Sequence, residues 1–248
     1  VENSNYKLIT SSGSYILTIF EKRVEKKDLP FFVELKNHLV RKNFMCPKPI
    51  NSKDGSYINQ IKNKPCLINS FLKGKKISFV NTNHCHQLGK QLALMHIDTY
   101  DFKLFRKNSL NQKNWRKLLE KFKYNKNTKY KKLFNEISLE LKFLEKNWPR
   151  NLDKGVIHAD VFQDNVFFIN GIFSGIIDFY FACNDYYAYE LAICLNAWCF
   201  DKEKVLNMEK SSTLINAYQK HRRLSKPEKL SLPILLRGAA MRILLTRL

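Results

Sequence analysis

Several features that would restrict the class of this protein are scarce or missing in its sequence. Only 8 of the 248 residues are glycine, and neither a Gly/Ser-rich linker nor an internal repeat divides the chain. No apolar run reaches the roughly 18 residues that a membrane-spanning helix needs. The first residues, VENSNYKLIT, lack the basic start and the apolar stretch of a signal peptide. The sequence therefore indicates a globular protein with a substantial core, in one domain or two lobes.

The cysteines show no pattern of a disulfide or zinc framework. They are Cys46, Cys66, Cys85, Cys183, Cys194 and Cys199. None forms a C-x-x-C pair, and a chain of this length does not need disulfides for its stability. We therefore predict free thiols and a reducing, cytoplasmic location.

Acidic residues are few compared with basic ones: 22 Asp and Glu stand against 43 Lys and Arg, which gives a formal charge of +21. The basic residues are densest over 103–132, where aromatic residues lie among them. Such a stretch could bind a nucleic-acid backbone. No nucleic-acid-binding motif accompanies the charge, so a solvated helical surface is the favoured interpretation. An anionic small substrate would also be attracted by this positive field.

The first part of the chain has the pattern of a small β-sheet with one helix. Residues 6–10 and 14–20 alternate like two paired strands. A helix is predicted to begin at Asp28-Leu29-Pro30, with Pro in the first turn. Further strands are predicted around 56–61 and 65–72.

After Gly74 the hydrophobic pattern becomes helical. HQLGKQLALMH spaces its Leu and Met residues along one face, and more helix is predicted over 112–147 and from about Tyr186 onward. The exception is 155–178, which is rich in strand-forming residues.

These patterns predict an α+β fold of two lobes. The N-terminal lobe, a small sheet plus a helix, would cover 1–73. A mostly helical lobe that carries a catalytic β-hairpin would cover 74–248. The sequence begins with Val1, and RILLTRL stops within an apolar helical pattern, so we expect each lobe to be truncated at its outer end.

The hairpin is predicted from its turn. Asn170-Gly171 is a strong two-residue turn signal, because both positions can take positive φ. Pairing outward from this turn places Phe167 opposite Ser174 and Asn165 opposite Ile176.

Four polar residues in and around this hairpin form a candidate site. Asp178 would be a diagonal neighbour of Asn165, about 7–8 Å away, and two such side chains can converge on one hard cation such as Mg²⁺. Asp160, five residues before Asn165, can face the same ion. His158 is a catalytic candidate, but a structural role in holding the loop is the favoured interpretation.

The pattern His-x-Asp-x-x-x-x-Asn, a hairpin and then Asp-Phe is typical of kinase catalytic and metal loops. The spacings of five and thirteen residues agree with protein kinases. Ala159 stands where protein kinases carry Arg, and Tyr180 stands where they carry the Gly of Asp-Phe-Gly. These departures favour a small-molecule kinase of the same ancestry.

Two long segments, GVIHADVFQDNVFF and GIIDFYFACNDYYAYELAICLNAWCF, closely resemble homoserine kinases of the aminoglycoside phosphotransferase-like type. Shorter segments resemble that family too: VENSNY, YILTIFEKRV, DLPFFVELKNHL, FLKG, LGKQLALMH and RGAAMRILLTRL. The part from HAD to IDF is shared with choline and methylthioribose kinases, whereas IDFYFACND and LNAWCF look specific to homoserine kinases. The resemblance covers nearly the whole chain.

The resemblance implies a protein-kinase-like fold and transfer of the γ-phosphoryl group of ATP to the hydroxyl of L-homoserine, in threonine biosynthesis. Asp160 would orient or deprotonate that hydroxyl, and Asn165 and Asp178 would bind Mg²⁺ that bridges the phosphates. Catalysis would then depend mostly on positioning and charge neutralisation.

The resemblance also implies that ATP lies between the lobes. Adenine would contact the backbone at Ser70–Leu72, and the phosphates would lie under a turn at Val1–Tyr6. That turn carries Asn3, Ser4 and Asn5 in place of a Gly-rich run, so backbone and hydroxyl donors would hold the phosphates.

One expected phosphate-binding residue is missing. Thr18 stands where related kinases place a Lys or Arg that reaches the phosphates. Lys22 on the same strand face, or Lys7 on the partner strand, could substitute, although a solvated surface lysine is the favoured interpretation of each. Glu34 in the following helix could pair with the substitute.

An amino-acid substrate needs a cation for its carboxylate and an anion for its ammonium group. Arg237 and Arg242 lie among apolar residues and are the candidates for a bidentate carboxylate contact. Asp185, with Asn184 beside it, is the candidate anion, and a cap on the following helix is an equally good interpretation. Trp198 could line the pocket, but a core position is favoured.

Two alternatives to a homoserine kinase remain at this point. The chain could phosphorylate another small hydroxylated molecule, such as choline, methylthioribose or an aminoglycoside. Cationic acceptors would favour an acidic pocket, which fits this basic chain poorly. It could also be a nucleic-acid-binding module that uses 103–132, and the oligomeric state is left open.

Overall fold

The N-terminal part of the protein is an antiparallel sheet with one helix packed beside it. The computed structural model describes residues 3–21, 24–122, 128–201 and 203–248. The strands are β1 (Asn3–Thr10), β2 (Gly13–Phe20), β3 (Pro49–Ile50), β4 (Asn59–Ile61) and β5 (Lys64–Ser70). Their order in the sheet is β1-β2-β5-β3, and β4 pairs with β5. The predicted strands are present, with β1 beginning at Asn3.

Helix α1 (Leu29–Arg41) follows β2 and has Pro30 in its first turn, as predicted. Phe32, Leu35 and Leu39 recur at helical spacing and are almost fully buried. Asp28 makes no side-chain capping bond to this helix but accepts a hydrogen bond from Arg106 Nε at 2.7 Å. The helix contacts β3 and the single 3-10 turn that follows Asp178, so it lies against the candidate site.

The C-terminal part is mostly helical. Its helices are α2 (Thr82–Asp98), α3 (Trp115–Phe122), α4 (Thr128–Asn147), α5 (Tyr187–Trp198), α6 (Met208–Gln219) and α7 (Lys226–Arg247). Helix α2 packs along α6, and α5 packs along α7. Within the described ranges, no helix combines the length and the apolar character needed to cross a membrane.

Two short antiparallel pairs interrupt the helices. Strand β6 (Lys154–Ile157) pairs with β9 (Cys183–Tyr186), and β7 (Val166–Ile169) pairs with β8 (Ile172–Ile176). The loops between these strands carry the four candidate residues of the sequence pattern. The mixture of a small antiparallel sheet and helices agrees with the predicted α+β, protein-kinase-like fold.

The predicted hairpin turn is confirmed, but the register beyond it is wrong. Asn170 and Gly171 have φ of 50° and 77°, as the turn requires. A bulge next to Phe167 then shifts the pairing by one residue, so that Phe167 lies opposite Gly175 rather than Ser174. Asn165 lies before the strand, and Val166 takes its predicted place opposite Ile176.

Candidate active site

The bulge brings Asn165 close to the end of β8. The N–H of Ile177 donates to the backbone oxygen of Asn165 at 2.9 Å, so Asp178 comes next along the chain from this pair. The side-chain amide of Asn165 donates to the backbone oxygen of Asp160 at 2.8 Å and to its Oδ2 at 3.0 Å. The three predicted residues therefore converge at one place, by a register other than the one expected.

Two non-glycine residues of this site have left-handed backbone conformations. Ala159 has φ of 63° and Asp178 has φ of 62°. Such conformations are uncommon for residues other than Gly, Asn and Asp, and they occur often at functional sites. Here they turn the chain sharply at the two carboxylates, beside Asp160 and at Asp178 itself.

The electrostatics of the two carboxylates are similar. Burial raises the pKa of Asp160, although His158 and Arg242 act in the opposite direction. Desolvation by the surrounding protein also raises the pKa of Asp178, although this residue is exposed to solvent where it lines the cavity. Each carboxylate would therefore gain from a nearby cation.

His158 is fully buried and has both ring nitrogens engaged. Its Nε2 donates to the backbone oxygen of Ile177 at 2.9 Å, and its Nδ1 accepts from the N–H of Asp160 at 3.2 Å. The ring also packs edge-on against Phe179, with centroids 4.6 Å apart. In this arrangement His158 ties the catalytic loop to the segment that carries Asp178.

Glu190 on α5 anchors the same loop. No sequence pattern identified it as a candidate. Its carboxylate accepts the N–H of His158 at 2.8 Å and the N–H of Ala159 at 2.5 Å. His96 Nε2 donates to it at 3.0 Å, and all of these groups are buried. Burial alone would raise the pKa of Glu190, but the hydrogen bonds lower it, so an ionised carboxylate holds the loop.

The two arginine candidates lie in different places. Arg242 is buried and donates from Nη1 to the backbone oxygen of Ala159, with Nη2 3.6 Å from Asp160 Oδ1. Arg237 lies on the surface, where it makes a two-donor pair with Glu140 at 2.8 and 2.6 Å. Arg242 therefore adjoins the site, whereas Arg237 does not, and a substrate carboxylate contact from either arginine stays a prediction.

The other substrate candidates are held within the protein. Asp185 lies in β9 and accepts from Asn108 Nδ2 at 2.7 Å and from the N–H of Tyr186 at 2.8 Å. It is not a cap, since helix α5 has no side-chain capping bond. Asn184 Oδ1 accepts the N–H of Arg106 at 2.9 Å.

Trp198 belongs to the core, as favoured from the sequence. Its side chain is buried, and its Nε1 donates to the backbone oxygen of Val161 at 2.8 Å. It therefore supports the chain just beyond Asp160 and does not line the neighbouring cavity. That cavity has a volume of about 260 Å³ and lies between the sheet, α1 and Asp178. Its lining residues are Asn5, Ile16, Thr18, Lys36, Pro47, Asn69, Ser70, Phe71, Leu72, Phe167, Ile177, Asp178, Phe179 and Tyr180.

The predicted nucleotide contacts are partly brought together at this cavity. Ser70 and Leu72 line it, as expected for a segment beside adenine. Asn3, Ser4 and Asn5 lie in strand β1 and not in a turn, because each pairs with β2. Asn5 lines the cavity, whereas Ser4 donates to Glu21 at 3.1 Å and Asn3 lines a smaller neighbouring cavity.

The structure describes only one of the two predicted substitutes for the missing phosphate-binding lysine. Lys22 lies outside the described residues. Lys7 places its Nζ 4.5 Å from the centroid of the Phe71 ring and is exposed. The basic side chain that lines the cavity is Lys36 on α1, two residues after Glu34.

The residues present fit a divalent cation. Because the amide nitrogen of Asn165 is used on Asp160, its oxygen is the atom left for a ligand. Asp178 is a carboxylate with a raised pKa at the wall of the cavity, and a cation would stabilise its ionised form. Over the described ranges, no group of three or more His, Cys, Asp or Glu side chains could hold a metal alone. Water and phosphate oxygens would therefore complete the coordination, as Mg²⁺ prefers.

The sequence matches a known family of enzymes. A family model described as "APH: Phosphotransferase enzyme family" matches residues 1–224, which is most of the chain. The chain therefore belongs to the APH phosphotransferase enzyme family. Its similar proteins include the homoserine kinase of Mesorhizobium japonicum, which is 48% identical over 247 residues, covering 100% of this chain and 77% of that protein. The homoserine kinase of Bartonella henselae is 46% identical over 248 residues, covering 100% and 78%.

Solved structures share the fold at much lower identity. The amicoumacin kinase hAmiN, in complex with AMP-PNP, Ca²⁺ and Ami, has a TM-score of 0.82 and 18% identity, covering 99% of this chain and 78% of that one. The microcompartment-associated aminopropanol kinase has a TM-score of 0.73 and 14% identity, covering 99% and 81%. At these identities the likeness concerns the fold.

Proposed function

We propose that this chain is a homoserine kinase, which transfers the γ-phosphoryl group of ATP to the hydroxyl of L-homoserine and yields O-phospho-L-homoserine. The proposal depends on one observation: Asp160, Asn165 and Asp178 converge at one place, where Asp178 lines a cavity of about 260 Å³, in a chain 46–48% identical over its whole length to named homoserine kinases. As a member of its family, the chain is an ATP-dependent small-molecule kinase that uses a divalent metal. Its product belongs to threonine biosynthesis.

Asp160 would bind the acceptor hydroxyl. Its Oδ2 is oriented by Asn165, and Arg242 lies beside its Oδ1. Burial raises its pKa, so this carboxylate accepts a proton more readily than an exposed Asp does. Held in this geometry, it would align the hydroxyl oxygen with the γ-phosphorus and take the hydroxyl proton as the new bond forms.

Asn165 and Asp178 would hold the metal, which we propose to be Mg²⁺. The ion supplies neutralisation of the charge on the phosphates when it is bound. The protein contributes two fixed oxygen ligands, one neutral and one charged. The hydrogen bond from Asn165 to Asp160 links the metal ligand to the residue that would receive the acceptor.

The acceptor would lie on the side of Asp178 away from the nucleotide cavity. Asp178 also lines a smaller cavity that includes Arg106, Asn3 and Phe181. Arg106 donates to Asp28 and, at 3.1 Å, to the backbone oxygen of Ala182, which fixes its guanidinium there. Arg106 would therefore be a further candidate for the substrate carboxylate beside the predicted Arg237 and Arg242, with part of its charge already neutralised by Asp28.

Two alternatives from the sequence receive less support. Choline and aminoglycosides are cationic, and they would meet a chain of formal charge +21. A nucleic-acid-binding role for 103–132 has no support from the family match, and part of that stretch lies outside the described residues. The six cysteines are free, as predicted, which supports a reducing cytoplasm.

A panel of acceptors tests the proposal. The protein is incubated with ATP, Mg²⁺ and one acceptor at a time: L-homoserine, L-homoserine amide, choline, methylthioribose or an aminoglycoside. We expect phosphorylation of L-homoserine, and weak phosphorylation of the amide because it lacks the carboxylate. Preferred phosphorylation of choline or an aminoglycoside would contradict the assignment. Mn²⁺ and Ca²⁺ in place of Mg²⁺ test the metal separately.

A further inference from the structure

The nucleotide cavity has a neutral group where related kinases have a cation. Thr18 occupies that position on β2, and its side chain is buried. Its hydroxyl donates to Asn5 Oδ1 at 2.7 Å, so it is held by the neighbouring strand. The strand therefore brings no positive charge to the phosphates.

Lys36 brings a charge to the same cavity from the other side. It projects from α1 with only 3% of its surface exposed, and it lines the cavity together with Thr18 and Asp178. Its Nζ donates to the amide oxygen of Asn69 on β5 and lies 5.4 Å from the centroid of the Tyr180 ring. The amide and the aromatic ring that this ammonium group contacts are both neutral.

A buried ammonium group with neutral partners is costly unless an anion compensates it. Burial lowers the pKa of Lys36 to about 8, and Asp178, which acts in the opposite direction, is also the carboxylate proposed to face the metal. A bound nucleotide would bring the compensating negative charge into this cavity. We propose that Lys36 contacts the α- and β-phosphates of ATP and replaces the lysine that the strand lacks. This inference rests on the proposed kinase function.

The packing around Tyr180 is consistent with a positive charge that comes from α1 and not from β2. Its ring packs edge-on against Phe20 of β2 at 4.9 Å and against Phe32 of α1 at 5.6 Å, between centroids. Its hydroxyl group lies with the Thr18 hydroxyl and the Asn69 amide, while burial raises the pKa of Tyr180 to about 12. A neutral phenol thus fills space beside the strand, and the cation comes from the helix.

Chemical labelling of the unmodified protein is the direct test. An acyl-phosphate derivative of ATP transfers its acyl group to a lysine amine that lies beside its phosphates, with release of ATP. Peptide mass spectrometry then identifies the modified residue. We expect acylation of Lys36 that excess ATP suppresses. Acylation of Lys7 or Lys22, with Lys36 unmodified, would overturn the proposal.

Binding measurements with variants give a second, independent test. In Lys36→Met, we expect affinity for ADP and ATP to fall about ten- to a hundredfold, the usual loss for a charged hydrogen bond, while adenosine binding stays unchanged. Lys42→Met is the matched control, since Lys42 follows the same helix and pairs with Asp101 on the surface. Unchanged ATP affinity, or an equal loss for adenosine, would overturn the proposal.

A double variant moves the positive charge from α1 to strand β2. In the double variant Thr18→Lys with Lys36→Met, we expect recovery of part of the lost ATP affinity, which would support the proposal. These experiments need no acceptor, so their outcome is separate from that of the acceptor panel. A kinase that uses another substrate would still show Lys36 at the phosphates.

Discussion

The proposed acceptor side and the proposed nucleotide side of the site differ in how far they depart from protein kinases. On the acceptor side, Asp160, Asn165 and Asp178 keep the kinase spacing. The adjoining loop segments are held by hydrogen bonds that His158 donates to the Glu190 carboxylate and to the backbone oxygen of Ile177. The nucleotide side has Thr18, Tyr180 and Lys36 at the corresponding places. A carboxylate that must meet one hydroxyl depends on one loop geometry. A charge that neutralises phosphates can come from any element that lines the cavity.

Replacing Asp160 tests the acceptor side most strongly. In Asp160→Asn, we expect kcat to fall about 10²–10⁴-fold, as is usual when a residue that receives a proton is removed. ATP affinity should stay close to the parent value, because the nucleotide cavity is unchanged. Steady-state kinetics and calorimetric ATP binding measure the two effects. Near-parent turnover would remove Asp160 from the reaction.

The proposed metal ligands, Asp178 and Asn165, lie between the two proposed sides, so their loss should affect both. Asp178→Ala should raise the metal concentration required and weaken ATP binding together, by about one to two orders of magnitude for a lost charged contact. Asn165→Ala should have the same effect more weakly, because a neutral amide contributes less. Titration of Mg²⁺ in both variants tests this order. An unchanged metal dependence in Asp178→Ala would contradict the metal site.

Glu190 tests whether the acceptor side depends on its buried anchor. In Glu190→Gln, we expect the free energy of unfolding to fall by about 1.5–3 kcal/mol, since one charged acceptor is lost. The turnover should fall with it, while the affinity for ATP changes less. Glu209→Gln, an exposed position on α6, is the control. Denaturant unfolding and kinetics of the two variants separate the anchor from a general charge effect.

Substitutions of the two arginines of α7 are expected to have smaller and more selective effects on activity. Arg242→Lys loses the two-donor geometry on Ala159 and Asp160, so we expect kcat to fall about tenfold. KM for homoserine should change little. Arg237→Lys should behave like the parent, since exposed ion pairs contribute about 0–1 kcal/mol. A raised KM for homoserine in Arg242→Lys, absent with the amide, would instead indicate a carboxylate contact.

The smallest effect is expected on the nucleotide side. Tyr180→Phe keeps the ring packing on Phe20 and Phe32 but removes the hydroxyl group near Thr18. A neutral hydrogen bond contributes about 0.5–1.5 kcal/mol, so we expect ATP affinity to fall only a few-fold. Calorimetry with ATP measures this. A loss as large as that in Lys36→Met would mean that the phenol itself contacts the nucleotide.

The sequence predicts the acceptor side better because its spacing is local. The Asn170-Gly171 turn and the distances along the chain are sufficient to bring Asn165 near Asp178. The bulge was missed, although Gly175 inside a predicted strand is the kind of residue that indicates one. Gly175 has φ of 148°, and a Cβ there would lie 2.6 Å from the backbone oxygen of Met45.

Glu190 and Lys36 were missed for a different physical reason. Each is a charged residue in an apolar helix segment, YAYELAICL and FFVELKNHL, and its role depends on partners far along the chain. In α5, a single acidic residue with apolar residues on all sides of the helix indicates, from the sequence alone, a buried carboxylate that needs partners. Glu34 was the expected ion-pair partner of the substitute lysine. Residues two apart on a helix do not face each other, so Glu34 gives no indication of what Lys36 contacts.

Backbone hydrogen bonds tie the β7–β8 hairpin to the segments that follow α1 and β5. The N–H of Ile176 donates to Met45 at 3.1 Å, and Lys75 and Phe168 exchange backbone hydrogen bonds of 3.0 and 2.9 Å. The hairpin is also held to α2, because Gln87 donates to the backbone oxygen of Gly171 at 2.8 Å and accepts the N–H of Phe173 at 2.7 Å, so a rotation of the sheet away from the helices would break one of these attachments. The hydrogen bonds of His158 to Ile177 and of Asn165 to Asp160 would keep Asp160 and Asp178 together in such a motion. Amide hydrogen exchange at Ile176 should accordingly be slow, with or without nucleotide.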